Sequence, residues 1–216
     1  MQPLLPNTSY HIFNHANGFE NVFREKENYR FFLEKYRMFI YTIAETYAYC
    51  LMPNHFHLVI RIRKREVIEE LIRRRNTNFS KVPNLEKVSI EFSDSEIGKF
   101  LSKQFSNLFS SYTQSFNKVN NRMGSLFVKN FKRDGINDRT HFLNAIIYTH
   151  RNPVHHGFCK DFEYWAYSSY PGIIYGVETL AESEKLLKIT GGLDAFIELH
   201  QKNLARFDSL TNFEIE

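Results

Sequence analysis

The chain has 216 residues, 43% hydrophobic and 16% aromatic, which is apolar material for one or two globular cores and excludes disordered and fibrous classes. Runs such as Leu58-Val59-Ile60 fall far short of the roughly 20 residues of a membrane span, and Met1–Pro6 lacks the basic and apolar regions of a secretory signal. The net charge of +4 hides a contrast between residues 99–160, with ten basic residues against Asp134 and Asp138, and residues 161–216, with ten acidic residues against four basic.

In chain order, Tyr10-His11-Ile12-Phe13 reads as a short strand ending at the turn Asn17-Gly18. Apolar residues from Tyr29 to Ile43 recur at helical spacing, predicting a helix from Glu25 to about Thr46. Tyr47–Met52 is strand-like, Pro53-Asn54 is a turn, and His55–Arg63 alternates. On that strand Phe56, Leu58, Ile60 and Ile62 share one face; His55, His57, Val59, Arg61 and Arg63 share the other. Helical spacing returns over Glu66–Arg74, and the polar stretch Asn76–Ser93 reads as a loop. A long helix is expected over Ser95–Asn117, a turn at Asn120–Gly124, and a strand over Ser125–Phe131. Asp138 or Thr140 can cap a further helix that Pro153 and Gly157 close. Beyond Phe162 the pattern is aromatic, then irregular, with a last helix near Leu193–Ala205. The order β-α-β-β-α-β-α predicts an antiparallel α+β sandwich of the split βαβ type.

Two cysteines, Cys50 and Cys159, make no disulfide framework and no zinc site, which favours a reducing, cytoplasmic setting. Two short motifs can carry chemistry. In Met52-Pro53-Asn54-His55-Phe56-His57-Leu58-Val59-Ile60, residues two apart on a strand point the same way, about 6.6 Å apart. His55 and His57 can therefore offer two imidazoles to one divalent metal; the plain alternative is two exposed histidines on a polar sheet face. Val59 does not supply the further histidine of a histidine-triad hydrolase, and His57 stands where a His-x-Thr/Ser phosphoesterase has a hydroxyl. In Tyr148-Thr149-His150-Arg151-Asn152-Pro153, Tyr148 and Asn152 share a helix face, about 6 Å apart along the axis. A tyrosine is a poor nucleophile at its ordinary pKa of about 10, and a nearby metal would help it, with an amide oxygen one turn away to complete the coordination. The alternative buries Tyr148 in the core and leaves Asn152 to end the helix before Pro153. The basic middle segment, with Phe105, Phe109, Tyr112, Phe116, Phe127 and Phe131 between its charges, suits a polyanion with stackable bases or a solvated helix face over a phenylalanine core.

Taken together these blocks resemble the single-tyrosine HUH transposases, most closely the REP-associated tyrosine transposases, over about Tyr10 to Tyr170. The resemblance rests on Tyr10–Phe13, Met52–Val59, Ser111–Lys118, Arg122–Phe127, Tyr148–Gly157 and Trp165–Tyr170, in that order and spacing. It implies a ferredoxin-like (RRM-like) antiparallel sheet with packed helices, the HUH endonuclease fold, over residues 1–170; the polar loop insert 76–93 and the acidic helical extension 171–216, read from polarity and charge, fit the family loosely and are assigned no chemistry. It further implies that His55, His57 and Asn152 hold Mg²⁺ or Mn²⁺ and that Tyr148 is the nucleophile, forming a 5′-phosphotyrosine on single-stranded DNA beside a hairpin. Asn152 stands where some relatives have glutamine. Segment 99–160 would follow the phosphates, with Arg122, Lys129, Lys132, Arg133 and Arg151 as DNA contacts. Relatives include monomers and homodimers. His155 and His156 are left outside the site as residues past a helix end, and Tyr112, the other nucleophile considered, reads as core. Two other functions fit the same residues. One is a domesticated hairpin binder without catalysis, and the other is a metal phosphodiesterase that uses water and keeps its activity in Tyr148→Phe.

Overall fold

The computed structural model describes residues 3–79 and 91–202. Four antiparallel strands, β1 (Ser9–His15), β2 (Ala44–Met52), β3 (His55–Ile62) and β4 (Lys132–Ile136), lie in the order β2-β3-β1-β4. Helices α1 (Lys26–Phe39), α2 (Arg65–Phe79) and α3 (Asp94–Val119) precede β4; α4 (Arg139–His155), α5 (Ser169–Ile174), α6 (Ser183–Thr190) and α7 (Leu193–Lys202) follow it. This is the ferredoxin-like arrangement, with two cores separated by the sheet. Alternation supplies the first, in which Tyr10, Ile12, Phe56, Leu58 and Ile60 meet Phe32 and Tyr36 of α1 and Leu101 and Phe105 of α3. Each such side chain contributes about 1.5–3 kcal/mol by leaving water. In the second, Val59 and Ile136 on the opposite face meet Ala145 and Ile146 of α4, Tyr170, Leu186 and Phe196. Among the described residues no helix is long and apolar enough to cross a membrane.

Local chemistry sets the helix ends. Ser93 caps α3 in a reciprocal box, its hydroxyl accepting from the Glu96 amide while Glu96 Oε2 accepts from the Ser93 amide at 2.8 Å. Asp138, not Thr140, caps α4 by accepting from the His141 amide at 2.8 Å. Pro153 sits inside the last turn of α4, which then closes on Gly157 with φ +69°.

The structure differs from the sequence reading in four places. Helix α1 stops at Phe39, not near Thr46, because Ile40 and Ile43 bury themselves in the turn into β2 while continuing the apolar spacing. Segment 125–131 is not a strand. Asn130 adopts a left-handed φ of +66°, only Phe127 bridges to Ala16, and the strand forms at Lys132–Ile136 instead. The expected loop 76–93 begins with residues that belong to α2, and 80–90 lie outside the described residues. Helices α5 and α6 occupy the stretch expected to be irregular, the first capped by Ser168 and the second ended by Gly191 at φ +97°. The last helix is described to Lys202, and 203–205 of its expected span lie outside the described residues.

Candidate functional site

The pairing of β1 with β3 sets Phe13 opposite His57 and His15 opposite His55. Alternation then places His11, Phe13, His55 and His57 on the face turned away from α1 and α3. Helix α4 packs on that face across β2 and β3. It covers the histidines. His55 is 5% exposed and His57 2%, which rules out the alternative of two solvent-facing histidines on a bare sheet. Asn152 is fully buried, and Tyr148, one turn earlier on α4, is half-buried.

His55 Nδ1 lies 2.7 Å from Asn54 Oδ1, and its Nε2 faces Asn152 Oδ1 at 3.2 Å. An amide oxygen only accepts, so the bond to Asn54 puts the imidazole hydrogen on Nδ1 and leaves a lone pair on Nε2. Two lone pairs then face each other. Two ligands at right angles around Mg²⁺, at bond lengths of about 2.1 Å, stand about 3.0 Å apart, so the spacing suits one cation between them. Asn152 Nδ2 is buried without a partner among the described residues. Without a cation, the pair is satisfied when Asn152 turns its amide so that Nδ2 donates to His55 Nε2.

His57 Nδ1 lies 2.9 Å from Nε2 of His11, which is itself 4% exposed. Burial, followed by the nearby His11, His55 and His156, holds His57 well below its ordinary pKa. Burial first and His141 second bring His11 down to about 4. Both rings are therefore neutral near pH 7 and share one hydrogen. With that hydrogen on His57 Nδ1, His57 turns the lone pair of Nε2 outward, the form that binds a metal. His11 lies in the strand Tyr10-His11-Ile12-Phe13, where the sequence alone assigns it no chemical role. Its place on the histidine face follows from the pairing of β1 with β3 and carries no signal in the sequence around it.

The Tyr148 ring stands edge-on to both inner histidines, 5.4 Å from His57 and 5.8 Å from His11 between centroids. The four residues singled out from two distant motifs thus meet at one place. His156, set aside in the sequence reading, lies with its ring 4.5 Å from that of His55 at the end of α4. Tyr112 is core, as expected: it is 1% exposed and donates its hydroxyl to the Val22 carbonyl on the other side of the sheet. No group of three or more His, Cys, Asp or Glu is arranged to hold a metal among the described residues, and the side-chain oxygen that faces His55 Nε2 is that of the Asn152 amide.

The five basic residues expected at DNA are not on one surface. Lys129 and Lys132 are exposed. Arg122 pairs with Glu20 and donates to the carbonyls of Met123, Gly124 and Ser125, which shapes the turn after α3. Arg133 donates to Ser102 Oγ at 3.3 Å. Arg151 is 9% exposed, lies over the Phe162 ring at 5.3 Å and donates to the His200 carbonyl, so it ties α4 to α7.

No family model matches the chain, and no curated protein matches it in sequence. In fold it is similar to a REP-associated tyrosine transposase whose structure was solved bound to a REP hairpin. The identity is 14%, the TM-score is 0.50, and the match covers 83% of this chain and 87% of the other. At that identity the likeness establishes a shared fold.

Proposed function

We propose that this protein is a metal-dependent transposase that cleaves and rejoins single-stranded DNA beside a hairpin, with Tyr148 as nucleophile. The observation that carries the reading is the meeting of His55 Nε2 with Asn152 Oδ1 at 3.2 Å, beside His57 and one helix turn from Tyr148. His55, His57 and Asn152 would hold Mg²⁺ or Mn²⁺, which supplies positive charge to the oxygens of the scissile phosphate. The chain's own residues do the rest. Asn54 fixes the tautomer of His55, and His11 Nε2, by accepting the shared hydrogen from His57 Nδ1, would leave His57 Nε2 free for the cation. Helix α4 carries Tyr148 to the rim of the buried pair, where its oxygen attacks phosphorus, the bond to the 3′-oxygen breaks, and that oxygen leaves with a proton as a 3′-hydroxyl. The phosphodiester becomes a 5′-phosphotyrosine, so rejoining needs no ATP. The hairpin is suggested by the fold neighbour, bound to one, and by the basic middle of the chain. Two free cysteines suit action in a reducing cytoplasm.

The test mixes the protein with labelled hairpin DNA carrying a single-stranded flank and Mn²⁺, resolved on a denaturing gel. A covalent adduct is expected, lost in Tyr148→Phe and in His57→Ala. Cleavage that survives Tyr148→Phe without an adduct would make it a water-using phosphodiesterase. Tight binding with neither product would make it a hairpin binder.

A further inference from the structure

A groove of about 740 Å³ lies on the other side of the sheet from the histidines, between α3 and the segment 124–133. One wall is a row on α3, Ser102, Ser106, Ser110, Thr113 and Asn117, each about one turn after the last. The opposite wall carries Lys129, Asn130 and Arg133, and the floor is aromatic, with Phe109 half-buried above Phe127 and Phe131. No carboxylate lines it. An exposed helix face ordinarily carries Lys and Glu; here its side chains are short and uncharged, which leaves room and sets a hydroxyl about every 6 Å from Ser102 to Thr113, while the Asn117 amide is taken up by Gly124 and Arg122. That interval is comparable with the spacing of successive phosphates along an extended strand. Arg133 is held at the groove by Ser102 and by the Phe131 ring, 5.2 Å away, while its Nε is buried without an acceptor among the described residues.

Strand β4 connects this groove to the candidate site. It is an edge strand, paired to β1 with Phe13 opposite Lys132 and Ile12 opposite Arg133. Alternation turns Arg133 toward the groove and Lys132 toward the histidine face. Two consecutive cations therefore lead round the sheet edge from one face to the other. Asp134, the one carboxylate of β4, lies two residues beyond Lys132 on the histidine face, opposite His11.

We infer that the groove between α3 and residues 124–133 is a second DNA-binding site, holding the strand that flanks the reacting phosphate before it passes round β4. The inference rests on the single-stranded DNA reading above and adds a place for the uncleaved part of the substrate. Hydroxyls and Lys129 would take the phosphates, and Phe109 would take a base. Charge complementarity selects this occupant, since Lys129 and Arg133 line the groove and no carboxylate does.

The experiment measures fluorescence anisotropy of a labelled single-stranded oligonucleotide with a hairpin, at 0.15 M salt and without metal, so binding is read apart from chemistry. The double variant Ser106→Glu, Lys129→Glu changes two exposed positions and is expected to fold normally and weaken binding at least tenfold. Lys26→Glu, an exposed reversal of the same kind on α1, is the control and should change affinity less than twofold. As a second readout, an oligonucleotide containing 5-iodo-deoxyuridine should crosslink under ultraviolet light to a peptide within residues 102–133. Binding by the double variant within twofold of the wild type, with crosslinks elsewhere, overturns the groove. So does a wild type with no affinity for the oligonucleotide. Loss of binding in the double variant, together with a wild type that never forms the tyrosine adduct, keeps the groove and rejects the chemistry.

Discussion

The two faces of the sheet use the same strands for opposite ends. Toward α1 and α3, the residues of β3 are Phe56, Leu58, Ile60 and Ile62, all 1% exposed or less and all apolar. Toward α4 the same strand gives His55 and His57, equally hidden but polar, and each needs a partner that the fold supplies from elsewhere. The first face is satisfied by volume alone. The second is satisfied at two named atoms, His11 Nε2 and Asn54 Oδ1, and leaves His55 Nε2 facing Asn152 Oδ1, a pair of lone pairs that a ligand can fill. Substitution should therefore separate them, with stability lost on one side and affinity or activity on the other.

The largest effect is expected from Phe56→Ala. Its ring lies among Phe32, Phe109 and Phe127, and truncation should cost about 3–5 kcal/mol in denaturant unfolding. A loss below about 1 kcal/mol would mean that this face is not close-packed. Next comes acid sensitivity on the α4 side. His200 is 1% exposed, and burial chiefly brings it down to about 4. Between pH 6.5 and 4 the unfolded chain takes up a proton that folded His200 refuses. Its contribution is thus complete above pH 6.5 and falls away as the pH drops toward 4, by on the order of 3 kcal/mol. Urea titrations of the metal-free protein should show a shallower decline in His200→Gln than in the wild type over that range.

His11→Ala sharpens the comparison further. It removes the group that orients His57 while leaving the proposed ligands in place, and Mn²⁺ affinity measured by calorimetry should fall about 10–100-fold. An unchanged affinity would reduce His11 to a packing residue. The smallest expected effect is Ser93→Ala, at the start of α3, which should cost about 1 kcal/mol of stability and leave metal affinity alone.

The difference between the faces also explains what could be read in the sequence. The alternation in His55–Ile62 was legible because its two faces differ in polarity, and Tyr148 and Asn152 were legible as one helix turn. The fold followed from the order of the elements. His11 was not singled out, because one histidine in an apolar strand has no local pattern; its meaning comes from a pairing 46 residues away. The apolar spacing of α1 ran on into Ile40 and Ile43 because a helix and the turn after it can bury the same residue types. Arg151 reads as a DNA contact by charge, but its partners, the Phe162 ring and the His200 carbonyl, come from 11 and 49 residues further along the chain and bury it.

The back of α4 bears on how the protein is made. Tyr49 N–H donates to Ser169 Oγ, and Ser169 Oγ lies 2.7 Å from His150 Nε2; His150 Nδ1 lies 2.9 Å from His200 Nε2, and His200 Nδ1 donates to the Phe196 carbonyl at 2.8 Å. Each atom in this chain has one consistent direction of donation, and the chain spans from β2 through the tyrosine helix to α7. During synthesis the sheet is complete once residue 136 has emerged, but the support behind Tyr148 waits for residues 196–200. A nascent chain should therefore hold a folded sheet before helix α4, with Tyr148 on it, is firmly seated against α7.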